Sequence, residues 1–367
     1  MNEVLPDHRE TSTRMPAFAP RSRPGDQIGA LPWFGGIAMT TAADTNGVRA
    51  RLYRSDDRDE DVDLSALAKL SPAKDELLWV DLQDPAEDCL RKVCASLDMH
   101  PDSVEDFSGP STMPGLGKSA DQFWLRVVPV TDDDGLNSQG PLLLIAAGTN
   151  WVVSVHREPI GFIDELRKRE RMDSDLGGLS AESFVAALLD WHLSTYFAAF
   201  AEFEIAVERM EVGILSDRPR DCLPELRVLR KAASRLRRML APHRAVFGAL
   251  SRPDFRPADD GVAARHFASL DTRYERAMDM VENARELVIG SFELLTSRTG
   301  IDTNQSMRTL TFVTVVTGVL AVIAGVLGMN FDASFFDTRD VGFAVAAGVM
   351  LVLAGIALWF GRRRAWF

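Results

Sequence analysis

Cysteine is scarce in this chain of 367 residues, which contains only Cys89, Cys94 and Cys222. No pair of them has the spacing of a zinc site, and three thiols define no disulfide framework. We therefore expect free or buried thiols in a reducing compartment. The first ten residues, MNEVLPDHRE, lack an apolar core, so we expect no cleavable signal peptide there.

Motifs for catalysis and phosphate binding are missing as well. The sequence contains no Walker-type loop, nucleophile elbow or kinase signature. His100 and His156 stand far apart in the sequence without a carboxylate constellation around them. We interpret both as structural polar residues, and a catalytic or metal-binding role is the less favoured alternative. The net charge of −12 argues against nucleic acid as a partner. We predict that the chain is not an enzyme and holds no resident cofactor.

Charge is missing from two long runs near the C-terminus. The residues from Thr309 to Phe331 and from Val341 to Gly361 are all uncharged. Each run exceeds the roughly 20 apolar residues that cross a bilayer core of about 30 Å as a helix. Soluble core helices are rarely uncharged on every face for so long. We predict transmembrane helices at 309–328 and 341–361, joined by a loop at 329–340.

The charges beside these spans predict their orientation. The loop carries three aspartates and a single basic residue, whereas the other ends of both spans are basic. By the positive-inside rule, both termini lie in the cytoplasm and the loop lies outside the inner (plasma) membrane. The residues before the first span then form a large cytoplasmic body, and 362–367 form a basic cytoplasmic tail. The basic residues next to the spans are Arg308, Arg362, Arg363 and Arg364.

The body begins with a tail and an α/β domain. Residues 1–32 contain five prolines and little apolar periodicity, which predicts a disordered tail. Residues 33–172 alternate apolar runs with short helical stretches, which predicts a cytoplasmic α/β domain. Asp84 is the expected cap of the second of these helices. The predicted strands are 48–54, 77–82, 122–130, 142–147 and 151–155, and the predicted helices are 64–70, 86–97, 102–107 and 159–172.

A helical hairpin is predicted at 180–251. Ser180 is the expected N-cap of a helix that ends near Leu215 and carries four glutamates in its second half. The next helix, at about 224–251, is rich in arginine. Opposite charges on the two helices favour an antiparallel pair with complementary faces. Two separately solvated faces, or a position of the basic helix near the membrane, are the alternatives.

The longest predicted element follows the hairpin. A run of mostly apolar residues repeats at alternate spacings of three and four, a heptad pattern typical of helices that pack side by side. No proline occurs between Gly261 and Gly328. We predict a nearly continuous helix of about 65 residues, roughly 100 Å long, whose cytoplasmic part is 259–308. Gly290 and Gly300 are its weak points. The heptad residues are Phe267, Leu270, Tyr274, Ala277, Val281, Ala284 and Val288.

The first span places hydroxyl and small residues on one side. Thr311, Thr314 and Thr317 lie three apart, with Gly318 and Gly325 near the same side. Such a face can line a pore, but small and hydroxyl residues also pack membrane helices together or bond to their own backbone. Two helices cannot enclose a pore, so a conducting chain must oligomerise. Spacing alone supports pore lining and helix packing equally, and a simple hairpin anchor is a further interpretation.

The end of the first span carries the most specific motif. Gly328-Met329-Asn330 closes the span just before the short loop, and Ala324-Gly325 lies shortly before it. This arrangement in a C-terminal hairpin resembles the CorA family of divalent-cation channels and its zinc-transporting relatives, the ZntB group. The segments WVDLQDP, LDMHPDSVEDF and NWVVSVHREP resemble the cytoplasmic domain of that family. The likeness covers about residues 45–367. Further matching residues of the first span are Asn304, Met307, Leu310 and Thr311.

The resemblance implies an α+β membrane protein. A cytoplasmic α/β domain, a long stalk helix and a two-helix transmembrane hairpin would assemble as a pentameric funnel. Its partners would be copies of itself, membrane lipid and divalent cations. Gly328, Met329 and Asn330 would form the selectivity filter, with Asn330 as the metal contact. Arg362, Arg363 and Arg364 would form a basic cytoplasmic ring, and the residues expected to line the pore are Asn304, Met307, Leu310, Thr311, Thr314, Gly318 and Gly325.

The chemistry of this wall favours a hydrated hard cation. Magnesium prefers oxygen ligands and loses its water reluctantly, and neutral amide and hydroxyl oxygens can hold its water shell without trapping it. Zinc prefers nitrogen and sulfur, which this wall lacks apart from two methionines. We predict transport of Mg²⁺, with Co²⁺ or Ni²⁺ as further candidates. Proton-coupled Zn²⁺ transport of the ZntB type is the alternative, and a membrane-anchored sensor or scaffold without transport is the alternative of another class.

Some residues depart from the CorA pattern. Leu327 stands where CorA members usually have tyrosine, and Val319-Leu320-Ala321 stands where they usually have Pro-Leu-Thr. The C-terminal GIALWFGRRRAWF and the RRMLAPHR segment around Pro242 are more similar to the ZntB group. These departures leave the identity of the ion open.

Overall fold

A computed structural model describes most of the chain. It covers residues 47–55, 59–73, 75–119, 121–131, 140–170, 179–216, 222–255, 261–328 and 340–363, without the side chains of 168–170, 261 and 340. The chain divides into two units, Met1–Asp44 and Thr45–Phe367, and all that follows concerns the second. The predicted tail at 1–32 lies outside the described residues.

A seven-stranded mixed sheet forms the centre of the body, in the order β2-β1-β3-β7-β6-β5-β4. β3 and β7 pair in parallel, with Leu78 opposite Trp151, and the other neighbours pair in antiparallel. The predicted α/β architecture is confirmed in this sheet. The strands are β1 (Val48–Arg54), β2 (Glu60–Asp61), β3 (Glu76–Gln83), β4 (Gly115–Lys118), β5 (Phe123–Val127), β6 (Leu143–Ala147) and β7 (Trp151–His156).

The five predicted strands are present, and two others lack a signal in the sequence. β2 is an acidic pair, Glu60–Asp61, that adds to the edge of β1. β4 contains two glycines, which strands usually disfavour. A Cβ atom at Gly117 would lie 2.3 Å from the ring of Trp124 on β5, so close packing between the two strands requires glycine there. Tertiary contacts therefore override the local preference.

Helices cover both faces of the sheet. Successive residues of β3 alternate between the two cores, since Leu77 and Trp79 face one side and Leu78 and Val80 face the other. Three short helices pack on the second side. They are α1 (Leu64–Leu67), α2 (Glu87–Ser96) and α3 (Pro101–Ser108).

The prediction that Asp84 caps α2 is wrong. The N-cap residue is Ala86, which makes no side-chain hydrogen bond. Asp84 instead has a φ angle of 46°, and its backbone N–H donates to the carbonyl of His156 at 2.8 Å. The residue therefore turns the chain at the end of β3, two residues before the helix cap.

The first side of the sheet packs against a helical layer. Ser180 caps α5 as predicted, because its hydroxyl accepts from the N–H of Ser183 at 3.2 Å. The basic helix predicted at 224–251 is interrupted around Pro242, which lacks the N–H that a continuous helix needs. The helices of this layer are α4 (Gly161–Glu170), α5 (Ala181–Leu215), α6 (Leu223–Leu240), a 3₁₀ turn (Ala241–His243) and α7 (Arg244–Leu250).

The two C-terminal helices agree with the predicted stalk and hairpin. α8 spans Gly261–Leu327 as one helix of 67 residues, which runs through Gly290 and Gly300 without interruption. At 1.5 Å per residue it is roughly 100 Å long. α9 spans Asp340–Arg363. The predicted loop at 329–340 lies outside the described residues apart from its last residue.

Three described helices are long and apolar enough to cross a membrane: Ala181–Leu215, Val262–Leu327 and Val341–Arg363. Half of the most apolar 18-residue stretch of α5 is buried inside the body, where Phe184, Leu188 and Leu193 belong to the core beside the sheet. In the corresponding stretches of α8 and α9, 6% and 0% of the residues are buried. The apolar surface of α5 is therefore used by the body, and that of α8 and α9 is left for another apolar environment.

Candidate functional site

The predicted pore-lining residues lie together on one exposed strip of α8. Met307 and Leu310 are 63% and 66% exposed, and the other members of the set are exposed as well. No other described residue of the chain covers this strip. The full set is Asn304, Met307, Leu310, Thr311, Thr314, Gly318 and Gly325.

The opposite side of α8 packs against α9. Phe312, Val316 and Leu320 line a groove with residues of α9. Val315 and Val319 also line this groove, and with about 100° of rotation per residue the five α8 residues are centred roughly 135° from Thr311, Thr314 and Gly318. The candidate pore strip therefore faces away from the partner helix of its own hairpin.

The threonine hydroxyls of the strip have defined orientations. The hydroxyl of Thr311 donates to the carbonyl of Met307, and that of Thr314 donates to the carbonyl of Leu310, each at 2.8 Å. The proton of each hydroxyl is thus used by the helix backbone, while the oxygen keeps its lone pairs. These oxygens can accept hydrogen bonds from water, including the water shell of a cation. The backbone bonding and the pore interpretation are compatible.

The glycines of the strip are not required by the packing of the single chain. A Cβ atom at Gly318 or Gly325 would meet no atom within 4 Å. Gly328 differs, because its N–H donates to the carbonyls of Ala324 and Gly325 at 3.0 and 3.2 Å and closes the end of α8. The space beside Gly318 and Gly325 is therefore free for another chain or for the contents of a pore.

The predicted filter and basic ring are only partly described. Gly328 lies at the end of α8, while Met329 and Asn330 lie outside the described residues. Arg362 and Arg363 are exposed in the last turn of α9, and Arg364 lies outside the described residues. The guanidinium carbon of Arg363 is 5.1 Å from the centre of the Trp359 ring, a cation–π distance.

The heptad seam of α8 packs inside the chain. All seven of its residues are buried, against α5, α6 and α7. Ion pairs add to this contact: Arg244 binds Glu275 at 2.8 Å, and Arg273 binds Asp190 at 3.0 Å. The seam therefore attaches the long helix to its own body, and association between chains must use other faces.

The basic helix α6 also faces α8. Arg237 lies 3.7 Å from Glu282 of α8. On the acidic helix α5, Glu211 accepts a hydrogen bond from the hydroxyl of Ser291 of α8 at 2.7 Å. Both helices of the predicted hairpin thus make polar contacts with α8. The opposite charges of α5 and α6 had indicated contacts between these two helices but not contacts with α8.

The two histidines singled out in the sequence have structural contacts. His100 is the N-cap of α3, where its Nδ1 accepts from the N–H of Asp102 at 3.3 Å. His156 is buried, and its Nδ1 donates to the carbonyl of Glu158 at 2.6 Å. Burial lowers the pKa of His156. The described residues contain no group of three or more His, Cys, Asp or Glu side chains that could hold a metal ion.

A buried polar network beside His156 was not predicted from the sequence. Asp81 on β3 forms an ion pair with Arg167 of α4 and accepts from the hydroxyl of Ser154. Trp79 donates its indole N–H to that same hydroxyl at 3.0 Å. Because a buried charge needs a partner, this network fixes α4 against the sheet. A lone aspartate in the apolar segment LLWVDL is the one hint that the sequence offers.

Known proteins resemble the chain along most of its length. The cobalt/magnesium transport protein CorA of Thermotoga maritima is 23% identical over 281 residues, which are 76% of this chain and 80% of that protein. The complete structure of the CorA magnesium transporter of Methanocaldococcus jannaschii is similar with a TM-score of 0.66 at 20% identity. That match covers 90% of this chain and 100% of the other. The ZntB cytoplasmic domain of Vibrio parahaemolyticus is similar with a TM-score of 0.56 at 11% identity, over 69% of this chain and 99% of the domain.

The α/β body, the long helix and the two unburied apolar helices, together with these likenesses, define a membrane transporter of divalent metal cations. The predicted fold of the chain, an α/β domain with a long helix and two C-terminal apolar helices, is thereby confirmed, and the pentamer stays a prediction. A family model described as "CorA-like Mg2+ transporter protein" matches residues 74–363. That match spans more than half of the chain, so the chain belongs to the CorA family.

Proposed function

We propose that this chain forms a homo-oligomer, specifically a pentamer, whose α8 helices surround a pore for Mg²⁺ in the inner membrane. One observation carries the proposal: the polar and small residues of the membrane part of α8 share a strip that is exposed in the single chain and faces away from α9. Several copies of such a strip, turned toward a common axis, would line a channel.

The strip has the chemistry of a pathway for a hydrated hard cation. Asn304 supplies an amide oxygen, and Thr311 and Thr314 supply hydroxyl oxygens whose protons point to the backbone. Such acceptors hold a hydrated Mg²⁺ through its water molecules, weakly enough to release it. Met307 and Leu310 are apolar at the inner end of the strip and are the candidates for a gate.

The direction of transport follows from the membrane potential. A divalent cation that enters through an inside-negative potential of 100 mV gains about 4.6 kcal/mol, since each charge contributes about 2.3 kcal/mol. A passive channel therefore needs no further energy source to bring Mg²⁺ into the cytoplasm.

The filter at the outer end would be formed by Gly328, Met329 and Asn330. Asn330 would meet the entering ion first, through its amide oxygen. We expect Asn330→Ala to abolish selective uptake while the oligomer still assembles, because the substitution removes the amide oxygen that is proposed to meet the ion. Uptake by full-length protein in liposomes measures this effect.

Asn283→Ala, at an exposed asparagine of the cytoplasmic part of α8, is the matched control and should keep uptake. Undiminished selective uptake by Asn330→Ala would refute the filter.

Transport assays in liposomes also separate the two ions. Purified full-length protein would be tested for entry of Mg²⁺ and of Zn²⁺, each with and without a pH gradient. Mg²⁺ entry that does not depend on the proton gradient supports the proposal. Zn²⁺ entry that follows the gradient would instead support the ZntB type of transport. In that case Leu327 and Val319–Ala321, where the sequence departs from the CorA pattern, become the residues to exchange.

The alternative function, a sensor or scaffold without transport, predicts a different result in the same assay. Neither Mg²⁺ nor Zn²⁺ would enter under any gradient, although the oligomer would be present. Such a result would overturn the proposed function.

A further inference from the structure

An apolar groove of about 360 Å³ lies between α8 and α9. Its lining residues all have apolar side chains. Phe312, Val316 and Leu320 contribute from α8, and Leu353, Ala357 and Phe360 contribute from α9. The groove brings the beginning of the membrane part of α8 beside the end of α9, as an antiparallel pair does. It lies within both predicted spans.

The groove faces away from the candidate pore. Its lining residues on α8, which include Val315 and Val319, are centred about 135° from Thr311, Thr314 and Gly318, because about 100° separates successive residues. A molecule in the groove would therefore not block the strip proposed to line the pore. The side of the hairpin that carries the groove is the side available to lipid.

The inner end of the groove is strongly basic. Arg308 precedes Phe312 by about one helical turn, and Arg362 and Arg363 follow Phe360 directly after Gly361. Arg362 and Arg363 are exposed, and Arg363 stacks on the ring of Trp359, which is itself 58% exposed. No acidic residue occurs from Arg308 to Leu327 or from Val341 to Arg363. The acid that comes before this region on α8, Asp302, is six residues from Arg308 and lies 3.5 Å from Arg298.

We propose that the groove binds one acyl chain of an anionic phospholipid, whose phosphate lies among Arg308, Arg362 and Arg363. An apolar channel that ends in a cluster of arginines matches a molecule with an apolar tail and a negative head. Arginine binds phosphate oxygens in a bidentate manner, and anionic lipids attract basic residues beside a membrane span. Trp359 sits at the level where an indole ring favours the lipid interface. The proposal rests on the membrane position of α8 and α9 and not on ion transport.

The charge at the end of the groove favours a lipid over a helix from a second copy of the chain. A neighbouring α8 or α9 has no acid within either span that could neutralise this cluster. A lipid phosphate instead neutralises the cluster.

Native mass spectrometry of the full-length oligomer tests the proposal directly. The protein would be purified with an equal mixture of phosphatidylglycerol and phosphatidylcholine, and the retained lipid would be counted. We expect preferential retention of phosphatidylglycerol. Removal of the two exposed charges by Arg362→Gln with Arg363→Gln should reduce that retention by roughly fivefold for each arginine at low salt. Ala357→Phe, which fills the groove, should abolish it.

Two control variants make comparable substitutions at positions away from the groove. Arg265→Gln with Arg276→Gln removes two exposed arginines from the cytoplasmic part of α8, and Leu351→Phe adds an aromatic ring on the side of α9 away from the groove. Both controls should retain phosphatidylglycerol as the unchanged chain does. Equal retention of the two lipids, or full retention by Ala357→Phe, would overturn the proposal. Loss of the oligomer in Ala357→Phe would show that another copy of the chain fills the groove, which also overturns it.

A second measurement does not depend on variants of the groove. Phosphatidylglycerol with brominated acyl chains quenches nearby tryptophan fluorescence. The quenched fraction should be larger than with brominated phosphatidylcholine, and the difference should disappear in Trp359→Phe. Equal quenching by both lipids would contradict binding at this site. Because neither measurement uses ion flux, a failure of transport and a failure of lipid binding can be told apart.

Discussion

At the scale of single residues, a buried pair of histidines stands out inside the body. His192 of α5 and His243 of the 3₁₀ turn are both fully buried, with ring centres 4.8 Å apart. Burial lowers the pKa of both side chains, to about 4 for His243 and well below the usual value for His192. The Nε2 of His243 accepts from the N–H of Val128 at 3.0 Å, so this residue also ties the helical layer to the sheet.

These histidines predict a loss of stability in acid. Because the folded-state pKa is below the unfolded value of about 6.5, the unfolded chain takes up protons first as the pH falls. The stabilisation is complete above about pH 6.5 and is lost as the pH falls toward 4. For His243 alone this amounts to about 3 kcal/mol, from about 1.4 kcal/mol per pKa unit. Unfolding of the full-length protein, followed between pH 8 and 4.5, measures it.

The variant His192→Phe tests how much of this pH dependence of stability comes from His192. His192→Phe keeps an aromatic ring beside Tyr196 and Phe247, and the ring nitrogens of His192 have no hydrogen-bond partner among the described residues. We expect a shallower dependence of stability on pH in this variant. His266→Gln, at an exposed histidine of α8, should leave the dependence unchanged. An identical pH profile for His192→Phe and the unchanged chain would contradict the assignment.

At the scale of elements, α8 uses different faces along its length. In the body it buries the heptad seam from Phe267 to Val288 against α5, α6 and α7. In the membrane part it turns Phe312 and Leu320 toward α9 and leaves the strip around Thr314 uncovered. A single rigid helix thereby connects the body to the proposed pore, and a displacement of the body can be transmitted along it.

The uncovered strip predicts an effect of side-chain volume. Gly318→Leu should leave the single chain intact, because no atom lies within 4 Å of an added Cβ, but it should greatly reduce ion entry into liposomes by narrowing the pore. Gly348→Leu is the matched control on α9, where an added Cβ also meets no atom within 4 Å, and should conduct as the unchanged chain does. Equal flux through both variants would place Gly318 outside the pore.

At the scale of the whole molecule, the unburied helices require partners that the single chain does not supply. Only 6% of the most apolar stretch of α8 and none of that of α9 is buried, which a water-soluble monomer would not tolerate. A bilayer can supply this cover, and in the proposed pore further copies of the chain add to it.

The stoichiometry is directly measurable. We expect the protein purified in a mild detergent to have a mass, after correction for detergent, of about five times the 40.5 kDa of one chain. Light scattering coupled to size exclusion, or native mass spectrometry, gives this number. A stable monomer or dimer would be incompatible with a pore lined by one strip from each chain.

The orientation in the membrane is a separate prediction. In a background with Cys89→Ser, a cysteine at Ser334 should react with an impermeant thiol reagent added to intact cells, because the positive-inside rule places this loop outside. A cysteine at Ser269, on the exposed cytoplasmic part of α8, should react only after lysis. Cys94 and Cys222 are buried and give a low background. The reverse labelling pattern would mean the opposite topology.

Local signals determined the largest elements of this protein. The absence of proline predicted the 67 residues of α8, and the absence of charge predicted the apolar parts of α8 and α9, because both features act within one helix. Apolar runs predicted five of the strands for the same reason. The side of the first span from Thr311 to Gly325 was readable from residue spacing, whereas Asn304, Met307 and Leu310 were added by the family resemblance. The role of the whole strip stays a prediction.

Contacts between distant residues decided the rest. Tertiary packing selected Gly117 for a strand beside Trp124 and assigned the heptad seam of α8 to its own body. It also placed the charge of Asp81 beside Arg167, 86 positions further along the chain. A sequence pattern records that a face is apolar or charged but not what lies against it, since the partner is chosen only when the chain folds. For the strip of α8 that the described residues leave uncovered, the proposed partners are the strips of further copies of the chain.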